Sequence, residues 1–435
     1  MNKKEQNTDH TKNDQYNKEP TKLKEKKIIV LTSSFPRFLG DVSGNFVFEL
    51  ASKLSKKDYQ ILILTCHKTG LDYYEEIDQL KIVRFPYFFP ISFQAFSGGG
   101  FVFTANQSPL AKVQIPCFFF SELFHSIKIL NKEKYDLIHS HWLLPQGLVG
   151  AILKRIFRMP HILTIHAADV FLLDKLPFNQ KIVDFIILNT DKIFVVSNYV
   201  YNTLANYSSP QIKSLLKNKT IILPMGINGK DFDFHEEKEV IKERLDLKNK
   251  YVILYIGRLT EKKGIEYLIE AMKINYNYRK EDILVICGDG PSKGTLIKKV
   301  DAEDISENVQ FKGYITNQMK KDYLFIADIL IVPSIILDSG ETEGLPVVIL
   351  EGLAAGKSII ASNVSGASDA ISDGYNGCLV DQKRPDQIAD KIIFLLENPE
   401  KKKEIEMNAR KSSLKYDWDN IANEYANVIN GLLKK

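Results

Sequence analysis

The chain has 435 residues, 44% hydrophobic and 26% charged, with a formal net charge of +4. That length exceeds one ordinary hydrophobic core and fits two domains of roughly 200 residues each. The small net charge, with acids interleaved among the lysines, excludes the electrostatic footprint of a nucleic-acid binder.

In chain order, residues 1–26 are polar and are expected to form a disordered tail. No apolar run long enough for a signal peptide or a membrane span follows, so a cytoplasmic protein is expected. Lys27–Thr32 is a predicted strand, followed by a loop with Gly40 and Gly44 and a helix over Asn45–Leu54. Gln60–Thr65, Leu137–His139, His161–Ile165 and Lys192–Val196 continue the strand series. These runs are apolar at nearly every position, as parallel strands covered on both faces require. The segment 85–120 breaks the pattern with many aromatics and a Gly98–Gly100 run. It reads either as a helical subdomain core or as a surface that touches acceptor or membrane. The four cysteines lie far apart with no CxxC pair, so neither a zinc site nor a disulfide framework is expected.

The pattern restarts at Tyr251–Ile256 and continues through Ile283–Cys287, Val309–Phe311, Ile329–Val332, Ser358–Ala361 and Cys378–Val380. Helices are predicted between them, including Ile265–Lys273 and Leu345–Ala355. The whole is an α/β chain of two doubly wound halves facing a central cleft. The expected boundaries are 27–224 and 225–412, with 413–435 a helix packing back on the first domain.

Two segments carry chemistry. Gly257–Gly264 (GRLTEKKG) follows a buried strand and precedes a helix. Arg258 and Lys263 there bring two cations to the cleft mouth, as a leaving diphosphate requires. From spacing alone, an exposed basic loop with a glycine turn is the favoured reading. Glu343–Glu351 (EGLPVVILE) places two carboxylates at the entry to a helix and deeper along it. Pro346 suits the first helical turn, and the Gly344–Leu345 amides suit a phosphate. Glu351 sits among leucines and needs a partner if buried.

These residues resemble the retaining glycosyltransferases of family 4, which have a GT-B fold. GRLTEKKG matches the family's GRLxxxKG signature, and Glu343 with Glu351 matches its EX7E motif. Gly288-Asp289-Gly290-Pro291, Phe311–Tyr314, Leu223–Asn228, His139-Ser140-His141-Trp142 and Thr164–Val170 resemble further family segments. The stretch Ile335–Glu343 and the aromatic insertion look most like members that build exopolysaccharide.

The resemblance implies roles. Arg258 and Lys263, with Gly257 and Gly290 nearby, would serve the donor diphosphate, and Gly44 would approach its phosphates. Glu343 and the Gly344–Leu345 backbone would hold the donor sugar and phosphate, and Glu351 the ribose. His166 would contact the sugar, Asp169 would shape that pocket, and Gly313, Tyr314 and Ile315 would hold the base. No metal or other cofactor is required in such enzymes. The implied partners are a nucleotide-diphosphate sugar and a saccharide or lipid-linked acceptor, with peripheral contact at the inner membrane face. The family's GxPE element is replaced here by Ser365–Asp369.

Three other readings compete with this one. A dinucleotide oxidoreductase would need a G-x-G-x-x-G spacing, which Gly288, Gly290 and Gly294 miss by one residue, and an acidic end to the second strand, which this chain lacks. A sugar-nucleotide epimerase or hydrolase shares the architecture. A non-catalytic membrane-associated protein would not need the cation and carboxylate set. His139 and His141 share a strand face, but no third metal ligand is identifiable.

Overall fold

A computed structural model describes residues 26–434 except 39, 42, 97–103, 105–108 and 235. The Gly98–Gly100 run, Phe101 and Phe103 therefore lie outside the described residues, as does nearly all of the N-terminal tail.

The first sheet holds β1 (Lys26–Leu31), β2 (Tyr59–Cys66), β3 (Tyr74–Ile77), β4 (Leu80–Phe85), β5 (Leu137–His141), β6 (His161–Ile165), β7 (Lys192–Val195) and β8 (Thr220–Ile222). Their order is β3-β4-β2-β1-β5-β6-β7-β8. β1 and β5 run parallel as neighbours at the point where the strand order reverses. The second sheet holds β9 (Tyr251–Ile256), β10 (Asp282–Cys287), β11 (Val309–Gly313), β12 (Ile329–Val332), β13 (Ser358–Ser362) and β14 (Cys378–Val380), in the order β11-β10-β9-β12-β13-β14. Its reversal lies between β9 and β12. Ligand crevices form outside the carboxyl ends of strands at such a point.

Apolar clusters cover both faces of each sheet, which is why the strands lack alternation. One expectation needs correction. The first sheet is not all parallel: β3 pairs antiparallel with β4 through a turn at Asp78 and Gln79, both at positive φ. The hairpin was missed because β3 is a four-residue edge strand with no buried residue.

The chain crosses between domains twice, and the crossings bind each other. Ile227 N–H donates to Tyr416 O at 2.8 Å, and Trp418 N–H donates to Ile227 O at 3.0 Å. The helix Trp418–Leu433 then lies on the first domain. Its Trp418, Ile421, Ala422, Tyr425 and Ile429 join that domain's core. Tyr425 stacks on Phe194 with centroids 4.0 Å apart, and its hydroxyl meets Thr164 Oγ1 at 3.0 Å. Side chains of this size stabilise by about 1.5–3 kcal/mol each when fully buried, so this is a firm attachment.

Candidate functional site

The strand ends at the second sheet's reversal carry both chemistry-bearing segments. Gly257 follows β9 directly, and the loop makes a single turn over Glu261–Lys263. Gly264 closes it at φ +63, with a hypothetical Cβ only 2.0 Å from Pro333 O. A left-handed residue pressed against a carbonyl has to be glycine. This close approach draws the β9 loop onto the loop after β12. There, Lys263 Nζ lies 3.0 Å from Glu343 Oε2, and Lys262 Nζ lies 3.3 Å from Glu343 Oε1. Lys262 also pairs with Glu341 at 3.1 Å. Burial alone would raise the Glu343 carboxyl, but the two lysines outweigh it and hold it below the ordinary range. Glu343 is therefore ionised at neutral pH. Arg258 is exposed on the same loop.

Glu351 has the partner that its apolar setting demanded: Lys320 Nζ lies 2.6 Å from its Oε1. Lys320 comes from the helix Asn317–Ile326. The helix bearing Glu351 spans Val347–Ala354, and Pro346 is its N-cap, one position before the expected first turn. A cavity of about 580 Å³ joins these residues. Lys263, Lys320, Glu343 and Glu351 line it from the second domain, and Asp41, Asn45 and Phe46 from the first. Gly257 and Leu345 also line it.

His166 faces this wall from the end of β6. It shares a smaller cavity, about 140 Å³, with Phe46, Glu343, Gly344 and Leu345. Its Nε2 lies 3.0 Å from His141 Nδ1, with the two rings parallel at 5.3 Å. Burial drives the His166 imidazole down to about 3, so it is neutral at physiological pH. It can donate or accept one hydrogen bond there but cannot act as an imidazolium acid. Asp169 is fully buried and accepts from Leu143 N–H, and its other carboxyl oxygen has no hydrogen-bond partner among the described residues. Asp169 thus ties down the turn after Trp142, whose ring centroid lies 5.0 Å from that of His166.

The remaining predicted residues divide. Gly344 packs between domains, since a Cβ there would lie 2.8 Å from Ala167 Cβ. At Gly44, φ is +67 and a Cβ would lie 2.3 Å from Ser34 O. The chain itself therefore demands glycine here, apart from any phosphate. Gly290 likewise abuts Leu259 O. Gly313 ends β11, Tyr314 is 72% exposed and Ile315 packs into the second domain's core. None of these three lines the larger cavity; Asn317 and Lys320 do. Among the described residues, no three His, Cys, Asp or Glu side chains group to hold a metal ion. His139 Nε2 meets Thr164 Oγ1 at 2.9 Å instead.

Sequence reasoning missed Lys262, Lys320 and His141 as partners of the three main site residues. It also missed a clasp across the domains: Asn198 donates to Asp369 through its N–H at 2.6 Å and its Nδ2 at 2.8 Å. Asp369 stands in the segment that departs from the family's GxPE element. Only the motif departure gave a signal.

Comparison with known proteins agrees with this geometry. Residues 43–227 match the model described as "Glycosyltransferase Family 4", and residues 237–412 the model described as "Glycosyl transferases group 1". An uncharacterised glycosyltransferase of Methanocaldococcus jannaschii is 32% identical over 332 residues, 72% of this chain and 79% of that protein. The chain is a family 4 glycosyltransferase. Its GT-B fold is shared with the sucrose-phosphate synthase of Thermosynechococcus elongatus. That match has a TM-score of 0.73 at 20% identity and covers 94% of this chain and 99% of that one. HepE of Anabaena in complex with UDP-glucose superposes at a TM-score of 0.66 and 17% identity, covering 93% of this chain and 99% of that one. This glycosyltransferase therefore carries its EX7E carboxylates and GRLxxxKG lysine at the reversal point of its second sheet, opposite His166.

Proposed function

We propose that the enzyme transfers a hexosyl group with retention from a nucleotide-diphosphate sugar to a saccharide or lipid-linked saccharide. The setting is cell-surface polysaccharide assembly, at the cytoplasmic face of the membrane. One observation carries the reading: Glu343 is held ionised between two lysines, with Glu351 two turns deeper and His166 facing it. In this reading Lys263, Arg258 and the start of the Val347–Ala354 helix neutralise the diphosphate without a metal. Glu343 accepts from sugar hydroxyls, and neutral His166 bonds the sugar. The C1–O bond to the phosphate breaks, the acceptor oxygen bonds C1 on the same face, and its proton goes to the departing phosphate.

The HepE complex makes UDP-glucose the first donor to try. A thermal-shift screen over UDP-, GDP- and ADP-sugars tests donor binding. A true donor at about 100 times its dissociation constant adds ~2.7 kcal/mol of stability. No shift with any of them counts against the site. Labelled donor with and without acceptor then separates transfer from hydrolysis or epimerisation.

The ribose role of Glu351 makes its own prediction. Glu351→Gln is expected to raise the donor KM by about 10- to 100-fold with kcat nearly unchanged, because a charged hydrogen bond present throughout the reaction is weakened. Steady-state kinetics decide it; a fall in kcat at constant KM contradicts the assignment.

A further inference from the structure

The helix Pro109–Lys132 has two unlike faces. Among the described residues it alone is long and apolar enough, by length and composition, to cross a membrane. Its inner face is nevertheless bound into the first domain. Ala111, Gln114, Phe118, Glu122, Ser126 and Leu130 are buried at intervals of three and four. Gln114 accepts from Ala95 N–H at 3.0 Å and donates to Phe93 O at 2.8 Å. Glu122 takes Gln146 Nε2 on both oxygens at 3.2 Å. Crossing a bilayer would strip these contacts from polar groups, so the helix lies on the domain.

Its outer face is apolar where a soluble surface helix is polar. Val113 is 65% exposed, Phe120 66% and Phe124 63%, with Leu110 on the same side. The exposed cations Lys112, Lys128 and Lys132 flank them. The helix has one acid, Glu122, and it points inward. The neighbouring helix Leu148–Phe157 has no acid and exposes Arg155 and Ile156. Two copies paired through this face would bring lysines against lysines with no acid between them. An anionic surface with an apolar interior complements both features.

We propose that this outer face docks flat on an anionic lipid bilayer, the phenylalanines at the acyl boundary and the lysines among the headgroups. The proposal rests on the lipid-linked acceptor reading above and names the surface that reading lacks. The helix is also coupled to the site. Glu122 holds Gln146, in the same turn that Asp169 fastens at Leu143 beside Trp142 and His166. A lipid-borne acceptor would thus emerge near the sugar pocket.

The test is co-sedimentation of the full chain, without donor or acceptor, with phosphatidylcholine vesicles with or without phosphatidylglycerol. Binding is expected only with the anionic lipid, and high salt should weaken it. Phe120→Ser with Phe124→Ser, and separately Lys112→Gln with Lys128→Gln, should each weaken binding about tenfold or more. No binding by the unaltered chain, or binding by both variants as strong as that of the unaltered chain, overturns the proposal. So does sedimentation velocity showing a dimer that the phenylalanine variant dissociates while vesicle binding stays absent. If the phenylalanine variant fails to fold, the lysine variant, altered only at exposed side chains, decides. The donor-induced thermal shift is measured in parallel; its absence beside normal vesicle binding would overturn the proposed donor site alone.

Discussion

Lys263→Ala is expected to lower kcat/KM for the nucleotide sugar by roughly 100- to 1000-fold, or about 3–4 kcal/mol of barrier. The leaving diphosphate gains charge as the glycosidic bond breaks. A preplaced ammonium stabilises that charge more in the transition state than in the ground state. Lys263 has a second duty, because it also holds Glu343 at 3.0 Å. Removing one partner of a buried pair costs about 3–5 kcal/mol of stability when nothing remains. Here Lys262 remains 3.3 Å from the same carboxylate, so the melting temperature should fall modestly. Lys262→Ala is the matched comparison. It removes a cation from Glu343 but not from the larger cavity's wall, and should cost little turnover. Steady-state rates and thermal melts of the two variants separate the duties. Equal losses, or unchanged turnover in Lys263→Ala, would remove Lys263 from the proposed chemistry.

Acid should unfold the protein steeply. Burial holds His139 at about 3, His161 at about 4, His166 at about 3, and His141 well below its ordinary value. In the unfolded chain each titrates near 6.5. A folded value below the unfolded one means that stability is full above about pH 6.5 and drains as pH falls toward about 4. Two buried acids act the other way. Burial raises Glu122 to about 8 and Asp169 to about 6, so both are protonated in the fold near pH 5 and ionise on unfolding. Near pH 5 the four histidines gain protons on unfolding and the two acids lose theirs. The net uptake is about two protons, a slope of about 3 kcal/mol per pH unit. Chemical denaturation at a series of pH values measures it. A flat stability curve between pH 6.5 and 4.5 would show that the histidines are not buried neutral.

The sequence alone marked most of the parallel strands of both sheets, though not β4 or β8, since continuous apolar runs are what two covered faces require. It also marked the candidate site residues, because GRLxxxKG and EX7E are local patterns at strand ends. Tertiary structure decided the rest. Lys320 meets Glu351 across 31 positions and Asn198 meets Asp369 across 171, separations at which no local pattern survives. Likewise, β3 has no buried side to mark it, and its partner strand alone makes it a strand. Gly44 is glycine because Ser34 O stands where a Cβ would go, a contact made by a loop folding back on itself. And the Pro109–Lys132 helix, apolar along most of its length, shows a core face and an open face only once the first sheet has taken one of them. Periodicity reports which residues share a face; packing decides which face is left uncovered.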